Sequence, residues 1–276
     1  MRVWLVTGAS RGFGREIARS ALEAGDVVVA TARRPEQVIE VFGEHPRLVA
    51  MALDVTDEGS VRATVAEIDE RYGQIDVLVN NAGRGIIGAV EEVTDSEARS
   101  VFDVNVFGVL AVTRAVLPIM RRQRRGHVVM MSSMGGFSQP GSGWGVYGAS
   151  KFALEGLGEA LRNEVAPLGI SVTLVEPGSF RTDFLDASSL QVASSRIADY
   201  DSTAGATRDA AADRNQTQQG DPVRAAAAVV RAVAASRGPL RLPLGSDAVA
   251  AIETKLRVVA ADVDANRAVA EAMAHR

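Results

Sequence analysis

The chain has 276 residues, of which 47% are hydrophobic, enough for one sizeable core. Its 30 basic and 34 acidic side chains leave a net charge of −4, which argues against a nucleic-acid surface as its main business. The absence of cysteine excludes disulfides, thiolate nucleophiles and Cys-ligated metals, and His45, His127 and His275 are too scattered for a zinc site. No signal peptide opens the chain and no apolar run approaches membrane-spanning length, so a soluble, cytoplasmic enzyme is the expectation.

Arg2 to Thr7 (RVWLVT) reads as a short strand buried on both faces. The turn Gly8-Ala9-Ser10-Arg11-Gly12-Phe13-Gly14 follows, then Arg15 to Ala24, with helix-spaced apolar residues Ile17, Ala18, Ala21 and Leu22. Strand, glycine turn and helix make a pyrophosphate cradle. Glycines let the backbone turn tightly and approach a ligand, and the helix N-terminus offers unpaired N–H groups. The spacing is Gly-x-x-x-Gly-x-Gly and not the common Gly-x-Gly-x-x-Gly.

Asp26 to Thr31 is a second strand and ends in Ala32-Arg33-Arg34. A dinucleotide fold that prefers NAD carries an acidic residue there to bind ribose hydroxyls. Arginines in that place, with Arg11 in the turn, favour the 2′-phosphate of NADP. Arg47 to Leu53 is a third strand, Asp57 to Tyr72 an amphipathic helix, and Asp76 to Asn80 a fourth strand leading into Asn81-Ala82-Gly83. A long helical region runs from about Thr94 to Arg125, opened by a Thr94/Glu97 capping box. Its basic end, Arg121-Arg122-Gln123-Arg124-Arg125, reads as a solvated last turn. Gly126 to Met131 is a fifth strand, Gly148 to Ala166 a helix, and Ile170 to Val175 a sixth strand ending at Pro177-Gly178.

After Phe184 the chain turns polar, and residues 185–220 read as a mobile substrate lid. Asp221-Pro222 starts a helix to about Ala235, Leu240 to Leu244 is a last strand, and Ala248 to Met273 is helix with Ile252, Leu256, Val259 and Val263 on one side. Residues 221–276 are therefore expected to form a C-terminal helical cap on a single domain. The alternation predicts an α/β fold, a doubly wound parallel sheet of about seven strands with helices on both faces. Its ligand crevice lies at the carboxyl ends of the strands. The glycine turn, Asp54, Asn81, Ser133 and Pro177 all fall at that edge.

Tyr147 and Lys151 are four apart on one helix, hence on one face. A nearby ammonium favours the phenolate, which would make Tyr147 a general acid/base near neutrality. Ser132-Ser133 ends the fifth strand, where a hydroxyl can bond a substrate carbonyl. Asn105 is a poor helix former among apolar neighbours, which suggests a polar task; the alternative is a satisfied core amide. Phe137, Trp144 and Phe184 near the crevice suggest an apolar or ring-containing substrate, or core filling.

TGASRGFG, NNAG (80–83), Asn105, Ser133, YGASK (147–151) and PGSFRT (177–182) together resemble the short-chain dehydrogenase/reductases, in their compact single-domain branch. ATARRPE (30–36) and YGASKFALEGL (147–157) are most similar to hydroxysteroid and retinol dehydrogenases and bacterial carbonyl reductases. The resemblance implies a tetrad: Tyr147 as proton donor, Ser133 as carbonyl polariser, Lys151 as pKa-lowering group and ribose ligand, and Asn105 as holder of a relay water. It implies that Gly8, Ser10, Arg11, Gly12, Phe13 and Gly14 cradle the cofactor and that Arg33 grips NADP. Asp54 and Val55 would flank the adenine, Asn81, Ala82 and Gly83 the adenosine ribose, and Pro177, Gly178 and Thr182 the nicotinamide end. Ser133 and Tyr147 enclose thirteen residues, one more than is usual in the family, with the extra residue in the loop Gln139 to Gly145.

The implied activity is NADP(H)-dependent interconversion of a small-molecule carbonyl and a secondary alcohol by hydride transfer. The implied assembly is a homodimer or homotetramer through the helices bearing Asn105 and Tyr147. Two other readings are a non-catalytic NADP-binding redox sensor and an epimerase or dehydratase of allied fold.

Overall fold

The computed structural model describes residues 1–139, 141–235 and 238–273. Pro140 in the Gln139–Gly145 loop and His275 lie outside the described residues. The chain opens with β1 (Val3–Val6), α1 (Gly12–Glu23), β2 (Val27–Ala32), α2 (Glu36–Phe42), β3 (Leu48–Ala52), α3 (Glu58–Tyr72) and β4 (Val77–Asn80). Next come β5 (Gly85–Ile87), α4 (Asp95–Phe102), a π-helical turn (Asp103–Gly108), α5 (Val109–Gln123), β6 (Gly126–Met131), α6 (Met134–Phe137) and α7 (Gly145–Val165). The chain closes with β7 (Ile170–Pro177), β8 (Leu190–Val192), α8 (Ala206–Arg214), α9 (Pro222–Ala234), β9 (Arg241–Leu244) and α10 (Ser246–Glu271).

Seven parallel strands form the main sheet in the order β3-β2-β1-β4-β6-β7-β9. Alternate residues of each strand point to opposite faces, so β1 sends Trp4 and Val6 one way and Val3 and Leu5 the other. Trp4 and Val6 meet Ile17, Ala18 and Ala21 of α1, Val38 of α2 and Ala226 and Val229 of α9. Val3 and Leu5 share the second cluster with Val61 and Val65 of α3, Val112 and Val116 of α5, and Leu154 and Leu161 of α7. Both faces are covered, which is why the strand sequences are apolar throughout. Strand order reverses between β1 and β4, opening a crevice at their carboxyl ends.

The predicted capping box is present: the Thr94 side chain accepts from the Glu97 backbone while Glu97 reaches back to the Thr94 N–H. The π-helical turn then separates α4 from α5 around Asn105. Contrary to the sequence expectation, the helical stretch Asp95–Gln123 passes the length and composition test for crossing a membrane. Val112, Val116, Ile119 and Met120 of that helix lie in the core.

Two parts of the chain differ from their sequence reading. The 185–220 segment carries its own structure: β8 pairs in parallel with β5, and α8 follows. Two carboxylates outside the segment hold its backbone. Glu97 accepts the Ser194 N–H at 2.9 Å, and the buried Glu92 accepts the Ile197 N–H at 2.9 Å and pairs with Arg208 at 2.5 Å. The 221–276 segment divides its tasks: α9 packs on α1 and β9 extends the sheet. Of α10 only Ala248 is buried, and its side bearing Leu256, Val259 and Val263 is exposed, so this helix does not fold back as a cap.

Candidate active site

The carboxyl ends of the strands open into a cleft of about 2160 Å³. At its centre the β1–α1 turn takes left-handed backbone at Gly8 (φ 65°) and Gly12 (φ 52°). These are conformations that glycine adopts without steric cost. Gly14 does not line the cleft. A Cβ there would come within 2.4 Å of both the Gly8 carbonyl and Asn81 Nδ2, so this glycine serves the packing of turn against strand. Asn81 locks that packing by donating from Nδ2 to the Thr7 and Gly8 carbonyls, each at 2.9 Å. Thr7 Oγ1 in turn accepts the Asn81 and Ala82 N–H groups.

No side chain caps the N-terminus of α1. Its Gly12 N–H instead donates to Asp183 Oδ2 at 3.1 Å, from the chain that follows Thr182. A helix N-terminus that already holds a carboxylate is suited to a phosphate. Ser10, Arg11, Gly12 and Phe13 line the cleft with Asn81, Ala82 and Gly83, and Pro177, Gly178 and Thr182 line it beyond. Exposed Arg33 and Arg34 stand at the end of β2, beside Asp54 and Val55. Thr56 hydrogen bonds hold the Asp54 carboxyl below its usual value, and the Arg33 charge assists. A helix N-terminus, a glycine cradle and two exposed guanidinium groups fit a phosphorylated dinucleotide. Arg11 is not free: its guanidinium bonds Ser188 Oγ at 2.5 Å and the Ser188 carbonyl at 2.9 Å.

Ser133, Tyr147 and Lys151 line the same cleft. The Tyr147 ring sits 5.8 Å from Trp144 and 5.2 Å from Phe184, both at the cleft. Phe137 lies elsewhere, packed on the Arg241 guanidinium at 5.2 Å. Burial pushes the Tyr147 phenol up to about 12, while a hydrogen bond with Ser133 pulls it down. This departs from the expected acidic phenol. Lys151 is 5.8 Å from the Tyr147 ring centre, and its Nζ donates to the Met131 carbonyl at 2.6 Å. Burial brings Lys151 itself down to about 8, opposed by the charge of Glu155.

Asn105 is fully buried and does not line the cleft. Its Oδ1 accepts the Arg84 N–H, and its Nδ2 donates to the Arg84 carbonyl and to Ser150 Oγ at 3.0 Å. The core-amide alternative describes these bonds, and the π-helical turn aims the side chain at them.

Sequence reasoning missed Asp183 and Ser188, because nothing local marks a residue that meets a turn more than 170 positions away. It also missed Glu155, Glu176 and Arg241 behind the cleft. Buried carboxylates on otherwise apolar elements were the available signal.

The short chain dehydrogenase family model matches residues 2–193. The chain belongs to that family. Among its relatives, an oxidoreductase of Botryotinia fuckeliana is 39% identical over 252 residues, 90% of each chain. A 3-ketodihydrosphingosine reductase of Bacteroides thetaiotaomicron is 38% identical over 246 residues, 88% of each. A short-chain dehydrogenase structure from Streptomyces avermitilis superposes with a TM-score of 0.91 at 43% identity, covering 99% of both chains. Two more distant neighbours carry cofactor. A serine dehydrogenase holds NADP+ (TM-score 0.73, 27% identity, 88% of this chain and 94% of that one). A Burkholderia phymatum short-chain dehydrogenase/reductase holds NAD (TM-score 0.79, 25% identity, 91% and 92%). Both of these neighbours thus hold a nicotinamide dinucleotide.

Proposed function

We propose that this short-chain dehydrogenase is an NADP(H)-dependent oxidoreductase that interconverts a carbonyl and a secondary alcohol. The observation that carries the reading is the placement of Ser133, Tyr147 and Lys151 in one cleft with the α1 N-terminus and with Arg33 and Arg34. The nicotinamide supplies or accepts the hydride. Ser133 and Tyr147 bond the carbonyl oxygen, and Tyr147 gives it a proton from a phenol that is fully protonated at neutral pH. Lys151 stands one helical turn away as the nearby cation, 5.8 Å from the Tyr147 ring centre, and would hold the cofactor's ribose. Asn105 spends its amide on Arg84 and Ser150, and its proposed contribution is to hold Arg84 beside the cleft.

NADP is favoured over NAD because β2 runs into two exposed arginines at the place where an NAD site carries an acid. The Trp144 and Phe184 rings favour an apolar or ring-bearing substrate, and the names of two relatives, 3-ketodihydrosphingosine reductase and retinol dehydrogenase, agree with that class. Exposed Phe107 and Phe152, beside Val106 and Lys151 of the site helices, support pairing of two copies. The test is NADPH and NADH oxidation against a panel of ketones and aldehydes, long-chain and cyclic included. Cofactor binding without turnover of any of them would favour the redox sensor.

A further inference from the structure

Behind the cleft lie two carboxyl groups that the proposed chemistry does not use. Glu155 is one turn beyond Lys151 on α7, and Glu176 lies on β7; both are buried. Two further side chains touch them. Ser132, at the end of β6, donates from Oγ to Glu155 Oε1 at 2.5 Å. Arg241 on β9 places Nε 3.1 Å from Glu155 Oε2 and 3.2 Å from Glu176 Oε1, and its outer nitrogen pairs with Glu159. Lys151 lies four residues before Glu155 on the same helix, on the cleft side.

The charges do not balance if every carboxyl is ionised. Glu176 is wholly enclosed, and among the described residues neither of its oxygens has a hydrogen-bond partner beyond the Arg241 nitrogen that it shares with Glu155. A buried carboxylate without donors is costly, whereas a carboxylic acid can donate its proton to a neighbouring carboxylate. Glu155 already has donors, from Ser132 and Arg241. The two donors on Glu155 favour the charge there and the proton on Glu176.

We propose that Glu155 and Glu176 share one proton, held on Glu176, and that the single charge left on Glu155 is a positioning element for Lys151. The proposal rests on the reading of Tyr147 and Lys151 given above. Burial raises both carboxyls, and with the Glu155 charge beside it Glu176 reaches about 8. Lys151 is buried and among the described residues hydrogen-bonds only a neutral carbonyl, and Glu155 is the carboxylate nearest along its own helix face. Without that charge Lys151 loses its proton at lower pH. Through Ser132 the same carboxylate also seats the strand end that carries Ser133.

Three variants of the full chain test this: Glu155→Gln, Glu155→Asp and Glu176→Gln. Each is assayed for NADPH-dependent carbonyl reduction across pH, with thermal melts confirming the fold. In Glu155→Gln the alkaline limb moves to lower pH by about one unit, so kcat/KM above the limb falls about tenfold. Glu155→Asp keeps the limb in place. Glu176→Gln, which mimics the protonated acid, stays within about twofold of the parent. An unmoved limb in Glu155→Gln, or a Glu176→Gln as impaired as Glu155→Gln, overturns the proposal. Infrared spectra at neutral pH give a readout that needs no turnover. A protonated carboxyl stretch is expected in the parent and absent in Glu176→Gln, and its absence from the parent also overturns the proposal. If no carbonyl is reduced, that result bears on the proposed activity, while the infrared band still decides the shared proton. If Glu155→Gln does not fold, the Glu176→Gln assay and the band decide it.

Discussion

Asp183 holds the backbone N–H of Gly12 at 3.1 Å, so the first amide of α1 faces an internal carboxylate. A diphosphate arriving at this terminus competes with that side chain for the same donor and dipole. Asp183→Asn keeps the shape and removes the charge. It is expected to tighten NADPH binding about two- to fivefold, the range of a helix-terminus charge effect. Fluorescence titration of NADPH checks this, and weaker binding in the variant would count against the competition.

Tyr147 and Ser133 divide the work on the carbonyl oxygen, and only Tyr147 moves a proton. Tyr147→Phe is expected to lower kcat by about 10²- to 10⁴-fold, the usual contribution of a positioned acid/base. NADPH affinity should stay within about twofold, because the ring keeps its packing on Trp144 and Phe184. Retained turnover in Tyr147→Phe would remove the phenol from the mechanism.

Arg33 and Arg34 are exposed at the end of β2 and line the cleft. Hydrogen bonds to a charged group contribute about 1.5–3 kcal/mol, or roughly 10- to 100-fold in affinity. Arg33→Ala should therefore raise the NADPH KM by about that factor and leave the NADH KM unchanged. Equal effects on both cofactors would show that Arg33 does not read the 2′-phosphate.

His127, buried on β6, is pushed down to about 4 by burial, with Arg2 and Arg162 adding to the effect. Thr173 Oγ1 donates to the Pro239 carbonyl, so His127 Nε2 at 2.8 Å is the donor to Thr173 and the ring is neutral. Its folded pKa lies below the unfolded value near 6.5, so the unfolded chain takes up the proton first. Stability from this group is complete above pH 6.5 and is lost as pH falls toward 4. Between pH 6.5 and 5 the loss is about 1–2 kcal/mol. Urea midpoints across that range should fall in the parent and stay flatter in His127→Gln.

The strands were legible because β-branched runs buried on both faces leave no other reading, as in Val27 to Ala30. The Thr94 box and the Asp221-Pro222 start were legible because caps are local chemistry. The β5–β8 pairing was not, since Gly85–Ile87 is too short for a period to show and its partner lies about a hundred residues on. The side-chain stripe on α10 was read correctly, but period alone does not say what covers it. At the site, residue types and spacing located Ser133, Tyr147 and Lys151, whereas the phenol's acidity depended on where Lys151 points. That direction is set by the Met131 carbonyl, which no spacing reveals.

Asn105 clamps both backbone polar groups of Arg84, whose guanidinium bonds Gln191 on β8 at 2.9 Å. Gln191 in turn donates to Glu97, on the helical turn preceding the π-helical bulge. One amide side chain thus acts as the hub of a tether that runs from the end of the Asn81–Gly83 turn to the edge strand of the substrate-side segment. Slack introduced at residue 105 would spread to how that strand is seated. A slow Asn105→Ala enzyme would then be reporting lost architecture as much as a broken proton wire.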